Sequence, residues 1–198
     1  MTVDAAALRR ASVLASAAIL VEAASSSPAG RRLDQRLFGA INRGHGPVAD
    51  VVFDGLTELG SITASGAAGA VLAAAGHRRT ALRAVGAAGT MWLVGQGLKR
   101  LYLRVRPYDA LPEIVRLLIG KPKGTSWPSS HPAVLLAFCT VAGEELGLSR
   151  TERRALVALA GVVAASRVYL GVHYPSDVVA GLLLGRAVAD VWLAAGRG

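Results

Sequence analysis

The sequence has little of several things that ordinary soluble domains contain. Charged residues make up 18% of it, against about 25% in a typical soluble domain, and aromatic residues make up only 5%. Cys139 is the single cysteine among 198 residues, which excludes an internal disulfide framework and a cysteine-based metal site. No internal repeat and no Gly-rich nucleotide-phosphate loop is present.

The chain is rich in aliphatic residues. Hydrophobic residues account for 53% of it and the mean hydropathy is +0.44, which is typical of closely packed membrane helices. Lys and Arg number 22 against 13 Asp and Glu, a net charge of +9. The basic residues lie at the ends of apolar segments and form no face with interleaved aromatics. The charge therefore indicates membrane orientation signals and an anionic substrate, and not nucleic acid.

Apolar segments recur along the chain at lengths close to a membrane span, which needs about 20 residues in a helix. Four approach this length and a fifth is shorter; they are residues 49–75, 81–103, 132–148, 176–195 and, as the short one, 155–170. Residues 11–24 form a sixth span, a helix on the membrane surface, or a cleaved signal sequence. We therefore expect one all-α domain, an integral membrane helical bundle of five to six transmembrane helices.

The N-terminal part differs from the rest. Residues 31–47, RRLDQRLFGAINRGHGP, indicate a short amphipathic element on the membrane surface. We therefore divide the chain into residues 1–48, an N-terminal helix with this interfacial segment, and residues 49–198, a membrane-embedded core.

Basic loops predict the orientation. By the positive-inside rule, the loops at 77–80 and 149–154 lie in the cytoplasm, and Arg197 agrees with them. Residues 104–131 and 171–175 then share the external face of a multi-pass plasma-membrane protein. Four arginines oppose this orientation, because it also places them outside; they are Arg31, Arg32, Arg36 and Arg43.

Three stretches of polar residues meet on the predicted external face. They are KRLYLRVRP with Lys99 and Arg106, WPSSHPA with Ser129, Ser130 and His131, and SRVYLGVHYPSD with Ser166, Arg167, His173 and Asp177. Lys99 and Arg106 are seven residues apart, so two helical turns would place them on one face. The two serines open an apolar helix, whose free N–H groups and dipole suit a phosphate.

Each stretch has an ordinary structural explanation when taken alone. Basic residues at helix ends snorkel to lipid headgroups, Pro-Ser-Ser is common helix-capping sequence, and a loop histidine is usually a surface residue. Packing does not require all three on one side of a bundle, however. Two histidines, an aspartate and three cations together predict phosphoryl transfer, with one imidazole attacking and the other protonating the leaving oxygen.

In this order and spacing, the stretches resemble the type 2 phosphatidic acid phosphatase superfamily. The pattern Lys-x6-Arg-Pro matches residues 99–107, Pro-Ser-x-His matches 128–131, and Ser-Arg-x5-His-x3-Asp matches 166–177. The resemblance covers about residues 50–195. One departure is Ser130, where the family usually has glycine; a serine at a negative φ can still donate its backbone N–H.

The resemblance implies a role for each residue of these motifs. The catalytic set would be His173 as the nucleophile that forms a phosphohistidine, Asp177 as the acceptor that fixes its tautomer, and His131 as the acid that then activates water. The phosphate would be held by Lys99, Arg106, Ser129, Ser130 and Arg167. No cofactor and no metal is implied, and the sequence has no carboxylate cluster of the kind that Mg²⁺ prefers.

An external membrane site suits a lipid phosphate whose tail stays in the bilayer. The expected partners are therefore this substrate and membrane lipids, and the sequence leaves the oligomeric state open. Within the family the chain most resembles bacterial polyprenyl diphosphate phosphatases, so undecaprenyl or another polyprenyl diphosphate is the first expectation. Lys121 and Lys123, expected near the site, would favour a diphosphate or anchor their loop to anionic lipid.

Several alternatives stay open at this point. Other lipid substrates are phosphatidylglycerophosphate, phosphatidic acid and decaprenylphosphoryl-phosphoribose. Vanadium haloperoxidases share the same residue pattern, although those relatives are soluble. A catalytically silent membrane scaffold or transporter would keep the apolar helices without needing both histidines and Asp177.

Overall fold

The computed structural model describes residues 4–196, and within that range every regular element is a helix. The nine helices of this range are α1 (Ala5–Ser25), α2 (Pro28–Asn42), α3 (Pro47–Glu58), α4 (Ile62–Ala74), α5 (Arg78–Leu101), α6 (Pro107–Ala110), α7 (Ser130–Glu145), α8 (Arg150–Tyr169) and α9 (Pro175–Ala195). The all-α prediction is confirmed. Arg197, which supports the predicted orientation, lies outside the described residues.

Helix α7 is the centre of the bundle. It packs against α5, α8 and α9, and its residues are buried almost all round, including Ala133, Val134, Ala137 and Val141. A helix that is apolar on every face is expected in the middle of a bundle. Small side chains let its neighbours approach closely: a Cβ at Gly181 or Gly185 of α9 would run into the α7 backbone. Glycine at these two positions is what allows the two helices to come so close.

The segment 49–75, predicted as one span, is two helices. The N–H groups of Leu59, Gly60 and Ser61 each bond to a carbonyl three residues earlier, which closes α3. The Ser61 hydroxyl then accepts from the Ala64 N–H at 3.0 Å and begins α4. Hydropathy misses this corner because a single serine start signal hardly changes the average of an apolar run.

The N-terminal region is part of the bundle. Helix α1 is longer than the predicted 11–24, because the Asp4 carboxylate caps it by accepting from the N–H groups of Ala6 and Ala7 at 3.0 Å. It packs along α9. Helix α2 buries Asp34, Phe38 and Asn42 against α8 and α9 and leaves its opposite face exposed. The amphipathic element is thus a helix packed on the core.

The two ends of the bundle differ in chemistry. The C-terminal ends of α5 and α8 and the N-terminal ends of α7 and α9 carry the three predicted motifs. The basic segments 77–80 and 149–154, predicted as loops, form the N-terminal ends of α5 and α8. They lie at the other end of the bundle, where Arg83 Nε pairs with Glu145 Oε1 at 2.9 Å.

Of the helices in the described part, one is long and apolar enough by itself to cross a membrane. It is α9, Pro175–Ala195, with a mean hydropathy of 1.7 over its best window. Helix α4 is apolar but shorter.

Candidate active site

The first motif reaches the site in a different way from the one predicted. Helix α5 ends at Leu101, and Tyr102 is extended with φ −109° and ψ 101°. Arg106 is also extended, since Pro107 after it disfavours a helical conformation. Lys99 and Arg106 therefore do not share a helical face, and that expectation is wrong. Lys99 comes from the last turn of the helix and Arg106 from the strand-like segment that follows.

The second motif begins α7 with hydroxyls that have no partner. Ser129 is the N-cap residue, yet its side chain makes no capping hydrogen bond. The hydroxyls of Ser129 and Ser130 are both buried, and neither has a partner in the part of the chain that the structure describes. Buried polar atoms are nearly always hydrogen-bonded in folded proteins, so this helix start has unused donors. Ser130 fits where the family usually has glycine because its hydroxyl lies against Gly95 of α5, which has no side chain.

The third motif supplies a guanidinium from the end of α8. Arg167 is buried, and its Nη1 donates to the Thr57 hydroxyl of α3 at 2.7 Å. Its Nε has no partner. Behind Arg167, the corner between α3 and α4 lies against His131: a Cβ at Gly60 would be 2.7 Å from the His131 Cβ. The break in the predicted span thus shapes the site.

His173 lies at the centre of the cluster and is 2% exposed. Burial lowers the pKa of its imidazole well below the usual value, and the charges of four neighbours lower that pKa further; they are Arg106, Arg167, Lys99 and His131. Residues from all three motifs therefore surround one imidazole. Arg106 Nη1 lies 3.3 Å from His173 Nε2. Because a guanidinium only donates, this contact favours an unprotonated Nε2 and places the ring proton on Nδ1.

Asp177 faces the protonated side of the ring. Its Oδ2 lies 3.6 Å from His173 Nδ1, which is beyond hydrogen-bond length. The Ser126 hydroxyl donates to the same oxygen at 2.5 Å and is 3.5 Å from Nδ1, so it lies between the two groups. The Tyr174 N–H also donates to Oδ2, at 2.8 Å. Asp177 therefore caps α9 and faces His173 at the same time.

Some residues of the site were missed by sequence reasoning, and one was misplaced. Ser126 and Thr57 contact Asp177 and Arg167 respectively, but a single serine or threonine outside a motif carries no signal. Arg104 also donates to Asp177, at 2.7 Å. It lies inside the first motif, between Lys99 and Arg106, so the sequence does carry a signal for it. Lys121 pairs with Asp109 at 3.3 Å on the surface instead of facing the site.

The arrangement suits a tetrahedral anion more than a cation. Lys99, Arg106 and Arg167 carry positive charge close to His173. Hydroxyl and guanidinium donors without a partner in the described residues belong to the second and third motifs, and the second motif also begins α7 with free N–H groups. Within residues 4–196, no group of three or more His, Cys, Asp or Glu side chains is placed to hold a metal ion. One imidazole beside these donors can attack phosphorus while a second transfers protons.

Comparison with known proteins adds relatives of stated activity. Decaprenylphosphoryl-5-phosphoribose phosphatase of Mycobacterium tuberculosis is 35% identical over 101 residues, which are 51% of this chain and 52% of that protein. Undecaprenyl-diphosphatase of Sulfolobus acidocaldarius is 33% identical over 95 residues, 47% and 44% of the two chains. This chain therefore spans about half the length of the curated relatives it matches.

A solved structure and a family model extend the match. The crystal structure of Aquifex aeolicus LpxE superposes with a TM-score of 0.73 at 27% identity, covering 81% of this chain and 94% of that one. The family model described as the PAP2 superfamily matches residues 80–196, which is more than half of the chain and includes all three motifs. With its helical bundle and the motif residues gathered at one end, the chain belongs to the PAP2 superfamily.

Proposed function

We propose that the chain is a membrane lipid phosphatase that removes the terminal phosphate from a lipid diphosphate. One observation carries the proposal: in the second and third motifs, three buried hydroxyl and guanidinium donors have no partner among residues 4–196. They are Ser129 Oγ, Ser130 Oγ and Arg167 Nε. Leaving a buried donor unsatisfied costs about 1–3 kcal/mol, so their joint presence is explained best by a ligand that supplies several acceptor oxygens. A phosphate supplies them.

The reaction has two steps. His173 Nε2 attacks phosphorus with its lone pair, the bond to the leaving oxygen breaks, and His131 gives that oxygen a proton. Water then attacks the phosphohistidine, His131 takes its proton, and the P–N bond breaks to release inorganic phosphate. Asp177 and Ser126 stabilise the charge on His173 from the Nδ1 side. Lys99, Arg106 and Arg167 stabilise the negative charge that develops on the phosphoryl oxygens, so the reaction needs no divalent metal.

The outer surface of the bundle supports a place in the membrane. Large apolar side chains are exposed on several helices, among them Val13 and Leu20 of α1, Val71 of α4, Leu82 and Leu93 of α5, and Val191 of α9, and each is between 46% and 75% exposed. Such an apolar exterior is unfavourable in water. We therefore assign five to six spans, including residues 49–75 as a broken span, with α1 and α2 packed on the core.

The substrate class follows from the position of the site and from the relatives. A phosphate-binding cluster at the end of a lipid-facing bundle suits a lipid whose tail stays in the bilayer. The two curated relatives named above act, by their names, on decaprenylphosphoryl-5-phosphoribose and undecaprenyl diphosphate, which are both polyprenyl-linked. We choose polyprenyl diphosphate as the substrate. Decaprenylphosphoryl-phosphoribose is kept as the second candidate, because the relative named for that substrate is 35% identical and the undecaprenyl-diphosphatase is 33% identical.

Phosphate release by purified protein in detergent tests this function. The panel contains undecaprenyl diphosphate, decaprenylphosphoryl-phosphoribose, phosphatidylglycerophosphate and phosphatidic acid. We expect turnover of a polyprenyl substrate, loss of it in His173→Ala, and normal turnover in His77→Ala, a matched change of an exposed histidine at the other end of the bundle. Phosphate release by His173→Ala at a rate near that of the wild type would refute the mechanism, and no release from any lipid would refute the function.

The orientation is tested by thiol labelling of intact cells. On a Cys139→Ala background, a cysteine is placed at Lys123, which is exposed between α6 and α7, or at Arg79, which is exposed in the first turn of α5. With the site on the external face, a membrane-impermeant reagent labels the cysteine at 123 and reaches the one at 79 only after the cells are opened. The opposite pattern would invert the protein and remove the case for an external polyprenyl diphosphate.

A further inference from the structure

The segment between α5 and α6 alternates in the way that an extended chain does. Leu101, Leu103 and Val105 point outward and are 76%, 76% and 57% exposed. The residues between them point inward, and one of these is Arg104, whose side chain is only 13% exposed. Period-two alternation explains how two arginines separated by one residue both enter the protein. The second of them, Arg106, reaches His173, while Arg104 reaches a different place.

Arg104 lies in a buried cluster of carboxylates. Its Nη1 donates to Asp177 Oδ1 at 2.7 Å and to the Ser176 hydroxyl at 2.6 Å. Its Nη2 donates to Asp34 Oδ2 of α2 at 2.5 Å, and Glu22 of α1 lies 3.4 Å from Nη1. The guanidinium also lies over the Tyr174 ring, 4.7 Å from its centre.

The two oxygens of Asp177 have different hydrogen-bond partners. Oδ1 is held by Arg104, while Oδ2 is held by Ser126 and the Tyr174 N–H and faces His173. Rotation of this carboxylate is therefore blocked from both sides. A completely buried carboxylate also needs compensating charge, and Arg104 is the cation that contacts it directly.

We infer that Arg104 is a positioning residue of the catalytic site, which holds Asp177 toward His173 and is itself held by Asp34 and Glu22. The inference rests on the proposed function. It extends the catalytic unit beyond the family match, which begins at residue 80, to the α1–α2 pair. The N-terminal helices then contribute to turnover although the three motifs lie outside them.

An ion cluster that only ties helices together would look similar, so the test has to separate the two roles. A purely structural cluster changes the unfolding midpoint and leaves kcat of the folded protein unchanged. A positioning residue changes kcat with little change in KM, because Asp177 acts in the chemical step. It also acts only through Asp177, so its effect disappears when Asp177 has no side chain.

The experiment measures kcat, KM and the unfolding midpoint in detergent with a polyprenyl diphosphate. We expect Arg104→Lys to lower kcat about 10- to 100-fold and to change KM less than about twofold. The magnitude is the one found when a residue that orients a metal-binding side chain is replaced, and Arg104 orients Asp177 in the same way. Asp34→Asn, which keeps the shape of the side chain, should lower kcat in the same direction. The matched control is Arg100→Met, which removes an exposed arginine from the last turn of α5 and should leave kcat unchanged.

A cycle with Asp177→Ala completes the test. Arg104→Lys should cost less than about twofold on that background, since nothing remains to be oriented. A wild-type kcat in folded Arg104→Lys overturns the inference, and so does an undiminished loss on the Asp177→Ala background. If Arg104→Lys does not fold, Asp34→Asn decides, and a wild-type kcat there overturns the inference. Inactive wild-type protein would instead refute the proposed function, so the two failures are distinguishable.

Discussion

Replacing Gly60 by alanine tests whether the α3–α4 corner positions the second histidine. The added Cβ would lie 2.7 Å from the His131 Cβ and 2.8 Å from a Val163 methyl group. Favourable carbon–carbon contacts are about 3.5–4.0 Å, so the corner and α7 have to separate by about 1 Å. The backbone of Gly60 is outside the left-handed region, so the substitution acts through space and not through backbone strain.

The expected effect on turnover is large for so small a change. A displacement of about 1 Å in a catalytic group can cost about 100-fold in rate, which corresponds to about 2.7 kcal/mol of activation free energy. We therefore expect kcat of Gly60→Ala to fall about 100-fold. Because His131 gives the proton to the leaving oxygen, a substrate with a good leaving group should lose much less in the first step, and the phosphorylated enzyme should accumulate.

Steady-state kcat and rapid-quench detection of phosphoenzyme measure both effects. Gly66→Ala is the matched control, since a Cβ in that part of α4 meets nothing within 4 Å. It should leave kcat unchanged and stabilise the fold by about 0.5–1 kcal/mol, because glycine is unfavourable inside a helix. Wild-type turnover in folded Gly60→Ala, or an equal loss in Gly66→Ala, would show that the corner does not position His131.

Three further predictions concern Asp177, the need for a metal ion and the pKa of His173. Asp177→Asn should lower kcat about 10³- to 10⁴-fold, as in hydrolytic triads where the wrong imidazole tautomer is favoured; a rate near that of the wild type would reduce Asp177 to a helix cap. Activity should be unchanged in EDTA if three fixed cations hold the phosphate as we propose, and a strict Mg²⁺ requirement would contradict this. The free energy of unfolding should fall as the pH drops below about 6.5, which is the ordinary pKa of histidine. Because the pKa of His173 is lower in the folded protein, the unfolded chain binds more protons at this residue as the pH falls. His173→Gln should reduce this dependence in unfolding midpoints measured against pH, and an unchanged slope would show that His173 does not contribute to it.

Composition and motif spacing predicted much of this molecule. Apolar runs indicated an all-α bundle, since helices are the economical way to satisfy backbone groups in an apolar setting. The three motifs indicated the chemistry because phosphoryl transfer needs particular residue types. Asp177 follows His173 by four residues and lies in the first turn of α9, so this pair could be recognised from local sequence. The structure brings Lys99, Arg106, His131 and Arg167 around His173, and their individual roles stay predictions.

Other features depended on contacts between elements that are distant along the chain. Arg104 and Asp177 are 73 residues apart, and Arg167 and Thr57 are 110 apart, so no local pattern marks either pair. The end of α5 at Leu101 separated Lys99 from Arg106 because the chain becomes extended before Pro107. The break at Leu59 to Ser61 escaped notice because hydropathy averages over a run, whereas one capping serine is enough to begin a new helix. By itself the sequence determined the class of fold and carried the family motifs, and it predicts the reactive groups. Only the tertiary structure decided which carboxylates hold Arg104, which hydroxyls are left without partners and how the corner at Gly60 meets His131, because these depend on packing between helices.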